Sequence, residues 1–339
     1  MKKIVIAIIM LFSFLSPFKV QCTSADIYAR SYVVMEKFSG KVLEGKDVNL
    51  KRSVASISKI MTAIIALESD ELFNAVVVGD EIDGIVGSSL YLDKGTQINL
   101  IDLVYGLMLR SGNDAAMIIA KNVGNTIEHF VELMNDKAEK IGMRNTNFIN
   151  PHGLDIDDEG NISTTHDMAL LMRYCLSNDL FREIAGCKQY RSPQKGIWVN
   201  KHKLIQNYEY ATGGKTGYTT KARRTLITSA KKDNCELIVV TFDCGGDFAF
   251  HRSIFEKYFK DYVGLQFLQK GMNYIHGYEI NADEEVVLMI HKDDLKGGTM
   301  VYKLNIDRNI LVMSFVKRDN SVIEVKSIKV RSFASEGVK

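Results

Sequence analysis

The chain has 339 residues, 43 basic and 41 acidic side chains and a formal net charge of +2. This length allows about two domains, and 46% hydrophobic and 25% charged residues are typical of globular proteins. The composition excludes wholesale disorder, collagen and a disulfide-dense miniprotein, and a single long apolar run excludes a polytopic membrane protein. The near-zero net charge gives no sign of a nucleic-acid partner.

Residues 1–25 have the order of a secretory signal peptide. Two lysines precede a twelve-residue apolar stretch, residues 4–15, and small residues follow. Because a membrane-spanning helix needs about 20 apolar residues, cleavage is favoured over an uncleaved anchor. A lipidated Cys22 is the other alternative, but the residues before it are not small. We expect a mature chain that begins near Thr23 or Asp26 and works outside the cytoplasm, secreted or associated with the cell envelope.

Four cysteines remain after such processing, and no pair has the close spacing of a zinc or redox site. They are Cys175, Cys187, Cys235 and Cys244. Buried free thiols are the favoured interpretation, although an oxidising compartment permits disulfides. Neither a metal cluster nor a glycine-rich phosphate loop is visible, so the sequence implies no cofactor.

Residues 26–263 predict a domain of mixed helices and strands. Residues 31–44 have the pattern of a β-hairpin, and a helix that is apolar on most of its circumference begins near Ser53 or Ser56. Further helices are predicted from a capping box at Asn99, over 115–123 and 127–141, from a cap at Thr164, and over 250–262. Further strands are predicted over 225–230 and 236–243.

Residues 264–339 have a different pattern. Strand-like runs such as 285–290 and 310–313 alternate with polar turns, and no long helical period is visible. The sequence therefore predicts a small all-β domain at the C-terminus. The last twelve residues show no clear amphipathic helix of the kind that attaches many relatives to the membrane. Peripheral membrane association therefore stays an alternative that the sequence does not support.

Ser56 and Lys59 place a hydroxyl and an amine three positions apart, on one face of a helix. A serine is a poor nucleophile until a neighbouring base takes its proton, and burial can lower the pKa of a lysine enough for that task. The pattern Ser-x-x-Lys occurs five times in the chain, at Ser16, Ser56, Ser192, Ser229 and Ser314. Only Ser56 opens a long apolar helix, so its context separates it from the other matches.

Two further motifs each occur once. Ser111-Gly112-Asn113 begins 52 residues after Lys59, and Lys215-Thr216-Gly217 begins 102 residues after Asn113. The order Ser-x-x-Lys, Ser-x-Asn, Lys-Thr-Gly is the signature of penicillin-binding proteins and serine β-lactamases. Taken singly, Ser56 could be a helix cap, Ser111-Gly112-Asn113 could be a turn that ends a helix, and Lys215-Thr216-Gly217 could join a loop to a strand.

With these motifs and their flanks, the sequence resembles the low-molecular-mass penicillin-binding proteins, which are serine-type D-alanyl-D-alanine carboxypeptidases (peptidase S11). The resemblance extends over about residues 29–259 and includes the segments 55–63, 106–116, 150–154 and 214–219. It implies an α+β fold, in which a β-lactamase/transpeptidase-like domain with an antiparallel sheet and helices precedes the β-rich domain.

The resemblance and the chemistry together assign three catalytic residues. Ser56 attacks the carbonyl between two D-alanines, Lys59 accepts its proton, and Ser111 relays that proton to the leaving amine. Water then hydrolyses the acyl-enzyme. The implied partners are peptidoglycan stem peptides, with β-lactam antibiotics as covalent inhibitors.

Five residues are expected to bind the substrate. Asn113 holds its amide and also Lys59, Lys215 attracts its terminal carboxylate, and Thr216 donates to that carboxylate. Gly217 leaves room for the acyl group. The resemblance implies that the backbone N–H groups of Ser56 and Tyr218 form the oxyanion hole.

The sequence departs from the family pattern after Thr220. The segment reads Lys221-Ala222-Arg223-Arg224 where many relatives carry Ala-Gly, and we expect the extra arginine to alter the rim of the site. His251 and Arg252 lie where the family sometimes has a basic residue that faces the substrate. His152 is expected to be structural.

Three alternatives to the carboxypeptidase stay open. A D,D-endopeptidase would cut cross-links with the same residues. A serine β-lactamase of the same fold is disfavoured because the segment Glu-x-x-Leu-Asn does not occur. A catalytically silent cell-wall-binding protein would not need Ser56, Lys59 and Lys215 together.

Overall fold

The computed structural model describes residues 28–305, 307–329 and 334–335, so the predicted signal peptide lies outside the described residues. The helices are α1 (Lys59–Leu67), α2 (Leu100–Arg110), α3 (Asn113–Gly124), α4 (Ile127–Ile141), α5 (Thr165–Cys175), α6 (Asp179–Gly186), α7 (Lys203–Asn207) and α8 (Asp247–Asp261). The strands before α8 are β1 (Ala29–Glu36), β2 (Val42–Lys46), β3 (Arg52–Ser53), β4 (Ala75–Val77), β5 (Gln97–Asn99), β6 (Ile162–Ser163), β7 (Gln189–Ser192), β8 (Gly196–Val199), β9 (Ala211–Thr219), β10 (Arg223–Lys232) and β11 (Cys235–Cys244).

The central sheet is antiparallel and has five strands in the order β2-β1-β11-β10-β9. Strand β11 is buried from Cys235 to Phe242 because the sheet is covered on both faces. Ile238 and Val240 pack in the main helical core, whereas Leu237 and Val239 pack with α8 on the opposite face. The strand order places β9 at one edge of the sheet, beside the turn that carries Ser56.

Every residue of α1 is buried, as its apolar circumference predicts. The helix begins at Lys59, and a 3₁₀ turn, Ala55–Ser58, precedes it. It packs against α2, α3 and α5, which makes it the centre of the helical layer. The amine of Lys59 therefore enters the interior at the first turn of a fully buried helix.

Most of the predicted element boundaries are confirmed within a few residues. Helix α4 has the predicted bounds, and the Thr164 side chain accepts a hydrogen bond from the Asp167 amide, as a cap should. The capping box at Asn99 is wrong, because the Asn99 side chain does not bond the helix and Asp102 accepts from the Tyr190 hydroxyl instead. The four cysteines from Cys175 onward are free thiols.

After α8 the described chain consists of strands and one 3₁₀ turn. These strands are β12 (Tyr262–Leu268), β13 (Gly271–Ile275), β14 (Tyr278–Ala282), β15 (Val286–His291), β16 (Thr299–Asn305), β17 (Ile310–Val316), β18 (Val322–Lys329) and β19 (Ala334–Ser335). They form three small antiparallel sheets around a separate core that includes Ile280, Leu288 and Met313. This is the α+β arrangement that the sequence predicts. Among the described helices, none has the length and apolarity to cross a membrane.

Candidate active site

Ser56 lies in a strained turn that a distant loop supports. Ala55, directly before it, has a positive φ of 51°, which non-glycine residues rarely adopt. Gly153 packs beneath this turn with a φ of 82°, and a Cβ at Gly153 would lie 2.2 Å from the Ala55 carbonyl oxygen. Only glycine fits this contact. The loop at 150–154 therefore determines the position of the candidate nucleophile.

The Lys59 amine is fully buried and has three close partners. Its Nζ lies 3.0 Å from Ser56 Oγ and 2.7 Å from Asn113 Oδ1, and it also donates to the His152 carbonyl oxygen. Burial, together with the charge of Lys215, lowers the pKa of Lys59 well below its usual range. A neutral amine has two N–H groups, which can donate to the oxygens of Asn113 and His152. Its lone pair then faces the hydroxyl of Ser56.

Ser111 and Asn113 stand at the junction between α2 and α3. Ser111 ends α2 in the left-handed conformation, and Asn113 opens α3. The Asn113 side chain donates to the Val86 carbonyl oxygen at 2.7 Å while its oxygen accepts from Lys59. The Asn113 amide orientation is thus determined at both ends, which positions it between Lys59 and the loop at 86–92.

Lys215 is the second buried amine of the site. Its Nζ donates to Ser111 Oγ at 2.9 Å and to the Thr216 carbonyl oxygen at 3.1 Å. Burial lowers the pKa of Lys215 to about 7, and the nearby cation of Lys201 contributes. Lys201 in turn donates to Ser88 at the rim of the site. Sequence analysis missed Lys201, which belongs to none of the three motifs.

One cavity of about 450 Å³ joins these elements. Six of the eight predicted site residues line it, namely Ser56, Ser111, Asn113, Thr216, Gly217 and Tyr218. Lys59 and Lys215 are buried behind its wall, each in contact with a lining serine. The structure therefore brings the three motifs together around one cavity. No group of His, Cys, Asp and Glu suited to a metal ion occurs among the described residues.

Gly217 lies where β9 passes the turn of Ser56. A Cβ at this position would lie 2.4 Å from Thr225 Oγ1 and 3.0 Å from the Ser56 amide nitrogen. Thr225 Oγ1 donates to the Val54 carbonyl oxygen, so it cannot move without disturbing the turn. The protein itself therefore leaves no space for a side chain at position 217. This limit adds to the crowding of the acyl group, which was the reason for glycine in the sequence analysis.

Gly217→Ala should lower the rate of acylation by penicillin about 100-fold, because small displacements of reacting groups have effects of this size. Stopped-flow measurement of acylation tests it. Gly245→Ala is the matched control, since a Cβ at Gly245 would meet no atom within 4 Å. Equal rates for the two variants would contradict the steric argument.

Neither His251 nor Arg252, the two candidates for a basic residue that faces the substrate, reaches the cavity. The His251 ring is fully buried, with Nδ1 2.9 Å from Thr228 Oγ1 and Nε2 3.0 Å from Thr241 Oγ1. Arg252 pairs with Glu256 on the surface and does not line the cavity. His152 contributes its backbone carbonyl to Lys59, a role that the sequence did not reveal. The family resemblance of the segment 150–154 indicated that this loop matters. It could not indicate the contact of the His152 carbonyl, because a backbone group leaves no pattern in the sequence.

Three buried histidines should make the protein sensitive to acid. Burial lowers the pKa of His152 and of His202 to about 4, and it lowers the pKa of His251 well below its usual range. The unfolded chain has histidine pKa values near ~6.5, so it binds more protons than the folded state between those values.

The free energy of unfolding should therefore fall as the pH falls from about 6.5 to about 4, by up to about 1.4 kcal/mol per pH unit for each histidine. Urea denaturation at several pH values measures this slope. His251→Gln should reduce this slope, because it removes one of the buried titrating rings. An unchanged slope in His251→Gln would contradict the assignment.

The model of the D-alanyl-D-alanine carboxypeptidase family, peptidase S11, matches residues 18–246. The chain belongs to the peptidase S11 family. Over 223 residues it is 34% identical to D-alanyl-D-alanine carboxypeptidase DacF of Bacillus subtilis, which covers 63% of this chain and 57% of DacF. Over 241 residues it is 35% identical to D-alanyl-D-alanine carboxypeptidase DacC of Escherichia coli, covering 67% of this chain and 59% of DacC. The chain thus spans less than two thirds of the length of these two relatives.

The fold of this S11 protein also matches solved structures beyond the aligned sequence. Penicillin binding protein 6B from Escherichia coli superimposes with a TM-score of 0.72 at 26% identity, over 92% of this chain and 98% of that one. The match includes the C-terminal strands, which the family model does not reach. The predicted fold, a transpeptidase-like α+β domain followed by a β-rich region, is confirmed.

Proposed function

We propose that this S11 protein is a D-alanyl-D-alanine carboxypeptidase that removes the terminal D-alanine from peptidoglycan stem peptides through an acyl-enzyme on Ser56. The observation that supports this most directly is the set of three contacts of the buried Lys59 amine. Its two N–H groups are used by Asn113 and by the His152 carbonyl, so a neutral amine has only the serine hydroxyl to accept from.

The acylation step follows from this geometry. Ser56 Oγ attacks the carbonyl carbon of the penultimate D-alanine while Lys59 takes the hydroxyl proton. The backbone N–H groups of Ser56 and Tyr218 stabilise the oxyanion. Ser111, which contacts Lys215, relays to the departing amine the proton that Lys59 has taken up, so that both side chains regain their starting protonation. The C–N bond breaks, D-alanine leaves, and an ester to Ser56 remains.

Substrate binding uses the remaining residues of the cavity. Asn113 bonds the peptide amide, and Lys215 and Thr216 bind the terminal carboxylate. Gly217 lets the substrate approach β9 closely. A water molecule, activated by Lys59, then hydrolyses the ester and regenerates the enzyme.

We propose the same extracytoplasmic setting that residues 1–25 predict, since peptidoglycan is the proposed substrate. We also propose that residues 26–263 form the peptidase domain and that residues 264–339 form a separate domain. The separate apolar core of the C-terminal strands supports this division, although β12 begins at Tyr262 and crosses the predicted boundary.

The test is the release of D-alanine from a synthetic pentapeptide stem, measured beside two further substrates. A cross-linked peptide dimer reports endopeptidase activity, and benzylpenicillin reports β-lactamase turnover. We expect release from the pentapeptide and slow turnover of penicillin. Fast penicillin hydrolysis without peptide cleavage would replace this proposal with the β-lactamase.

A further inference from the structure

Arg224 and Thr216 lie on the same face of two paired strands. In the antiparallel register of β9 and β10, Arg224 is opposite Tyr218, and Leu226 is opposite Thr216. Opposite residues share a face, as do residues two apart along one strand. Arg224 is therefore the diagonal neighbour of Thr216, at a Cα separation of about 7–8 Å. An arginine side chain can span this distance.

The guanidinium group of Arg224 is anchored along one edge. Its Nε and Nη2 donate to the two carboxylate oxygens of Asp247, at 3.1 and 2.7 Å. Asp247 opens α8 and is only 2% exposed, so this anchor is part of the core of the domain. The ring of Phe248 lies 5.7 Å from the guanidinium carbon.

The anchor leaves a second edge of the guanidinium group for a ligand. Two of the five N–H groups of arginine bind Asp247, and the three others are on Nη1 and Nη2. The Arg224 side chain is 46% exposed and lines the cavity that contains Ser56 and Thr216. A planar pair of N–H donors matches a carboxylate in two parallel hydrogen bonds. Because Arg224 and Thr216 line the same cavity, the remaining N–H groups of Arg224 can bind a carboxylate there in addition to that of Asp247.

We infer that Arg224 is a specificity-determining residue, which binds the free carboxylate of the leaving amino acid together with Thr216. It favours peptides that end in a carboxylate over peptides whose last residue is amidated. The inference rests on the proposed function, because it concerns the leaving group of that reaction. It gives one of the two arginines of the segment 221–224 a role in the choice of substrate.

Two acetylated tripeptides test this inference, one ending in D-Ala-D-Ala and the other in D-Ala-D-alaninamide. We expect Arg224→Gln to lower kcat/KM for the acid peptide about 10- to 100-fold and to change kcat/KM for the amide less than about threefold, since hydrogen bonds between charged groups carry discrimination of this size. Arg224→Lys, which keeps the charge but lacks the second edge, should lie between the wild type and Arg224→Gln.

Arg223→Gln is the matched control. Arg223 is the preceding residue of β10, and it is not among the residues that line the cavity. Arg223→Gln removes the same charge as Arg224→Gln, and it should leave the ratio of the two kcat/KM values unchanged. A thermal melt of each variant measures folding. As a second measurement, Arg224→Gln should slow acylation by benzylpenicillin more than acylation by its methyl ester.

The outcomes separate this inference from the proposed function. If Arg224→Gln lowers the rates on both peptides equally, or lowers neither, Arg224 does not select the carboxylate and the inference is wrong while the carboxypeptidase stands. If the wild-type protein releases nothing from either peptide, the proposed function fails and the inference fails with it.

Discussion

Ser56→Ala should abolish D-alanine release and covalent labelling by penicillin, with a loss of turnover of at least about 10⁴-fold. The variant keeps the fold of the turn but has no atom that can form the ester. Mass spectrometry of the penicillin-treated wild type should find one equivalent of label, and peptide mapping should place it on Ser56.

Ser192→Ala provides the matched control for this experiment. Ser192 also opens a Ser-x-x-Lys match, but it is buried in β7 and its hydroxyl accepts from the Lys195 backbone amide. This variant should label and turn over at the wild-type rate. Label on any residue other than Ser56, or turnover by Ser56→Ala, would refute the nucleophile assignment.

Lys59→Gln should slow acylation by about 10³- to 10⁴-fold, the range over which a positioned general base contributes. The glutamine has no basic lone pair for the Ser56 hydroxyl. Stopped-flow measurement of acylation by a chromogenic β-lactam gives the rate, and circular dichroism measures the fold.

Lys59→Arg distinguishes a base from a fixed positive charge. Arginine keeps the charge and cannot lose its proton in a protein. If Lys59 acts as the base, this variant should be as slow as Lys59→Gln. Acylation by Lys59→Arg at near the wild-type rate would show that the amine acts only through its charge.

The helices and the central strands could be predicted because their signals are local. The boundaries of α4 and the cap at Thr164 follow from sequence patterns of about fifteen residues. The convergence of the three motifs could be predicted from the family resemblance. The individual motif positions, taken alone, did not establish it. The strand character of 211–219 was missed because Gly213 and Gly214 weaken a β pattern, although tertiary pairing with β10 overrides this.

The parts of the site that escaped prediction depend on backbone groups and on distant contacts. The His152 carbonyl bonds Lys59 across 93 positions of sequence, and a carbonyl is present in every residue type. Lys201 is an ordinary charged residue until the fold places it beside Lys215. His251 has the side chain of a candidate substrate-facing base, but its ring is fully buried and contacts Thr228.

The support of Ala55 by Gly153 has a consequence for how the protein is made. The nucleophile turn and its supporting loop are about a hundred positions apart, and β9 joins them from still further along the chain. Contacts of such high sequence separation form late, once their loops have closed. A nascent chain that is released before β9 is complete should therefore have its helices but no reactive serine. A fluorescent penicillin would then count finished molecules, which makes it a reporter of maturation in a living cell.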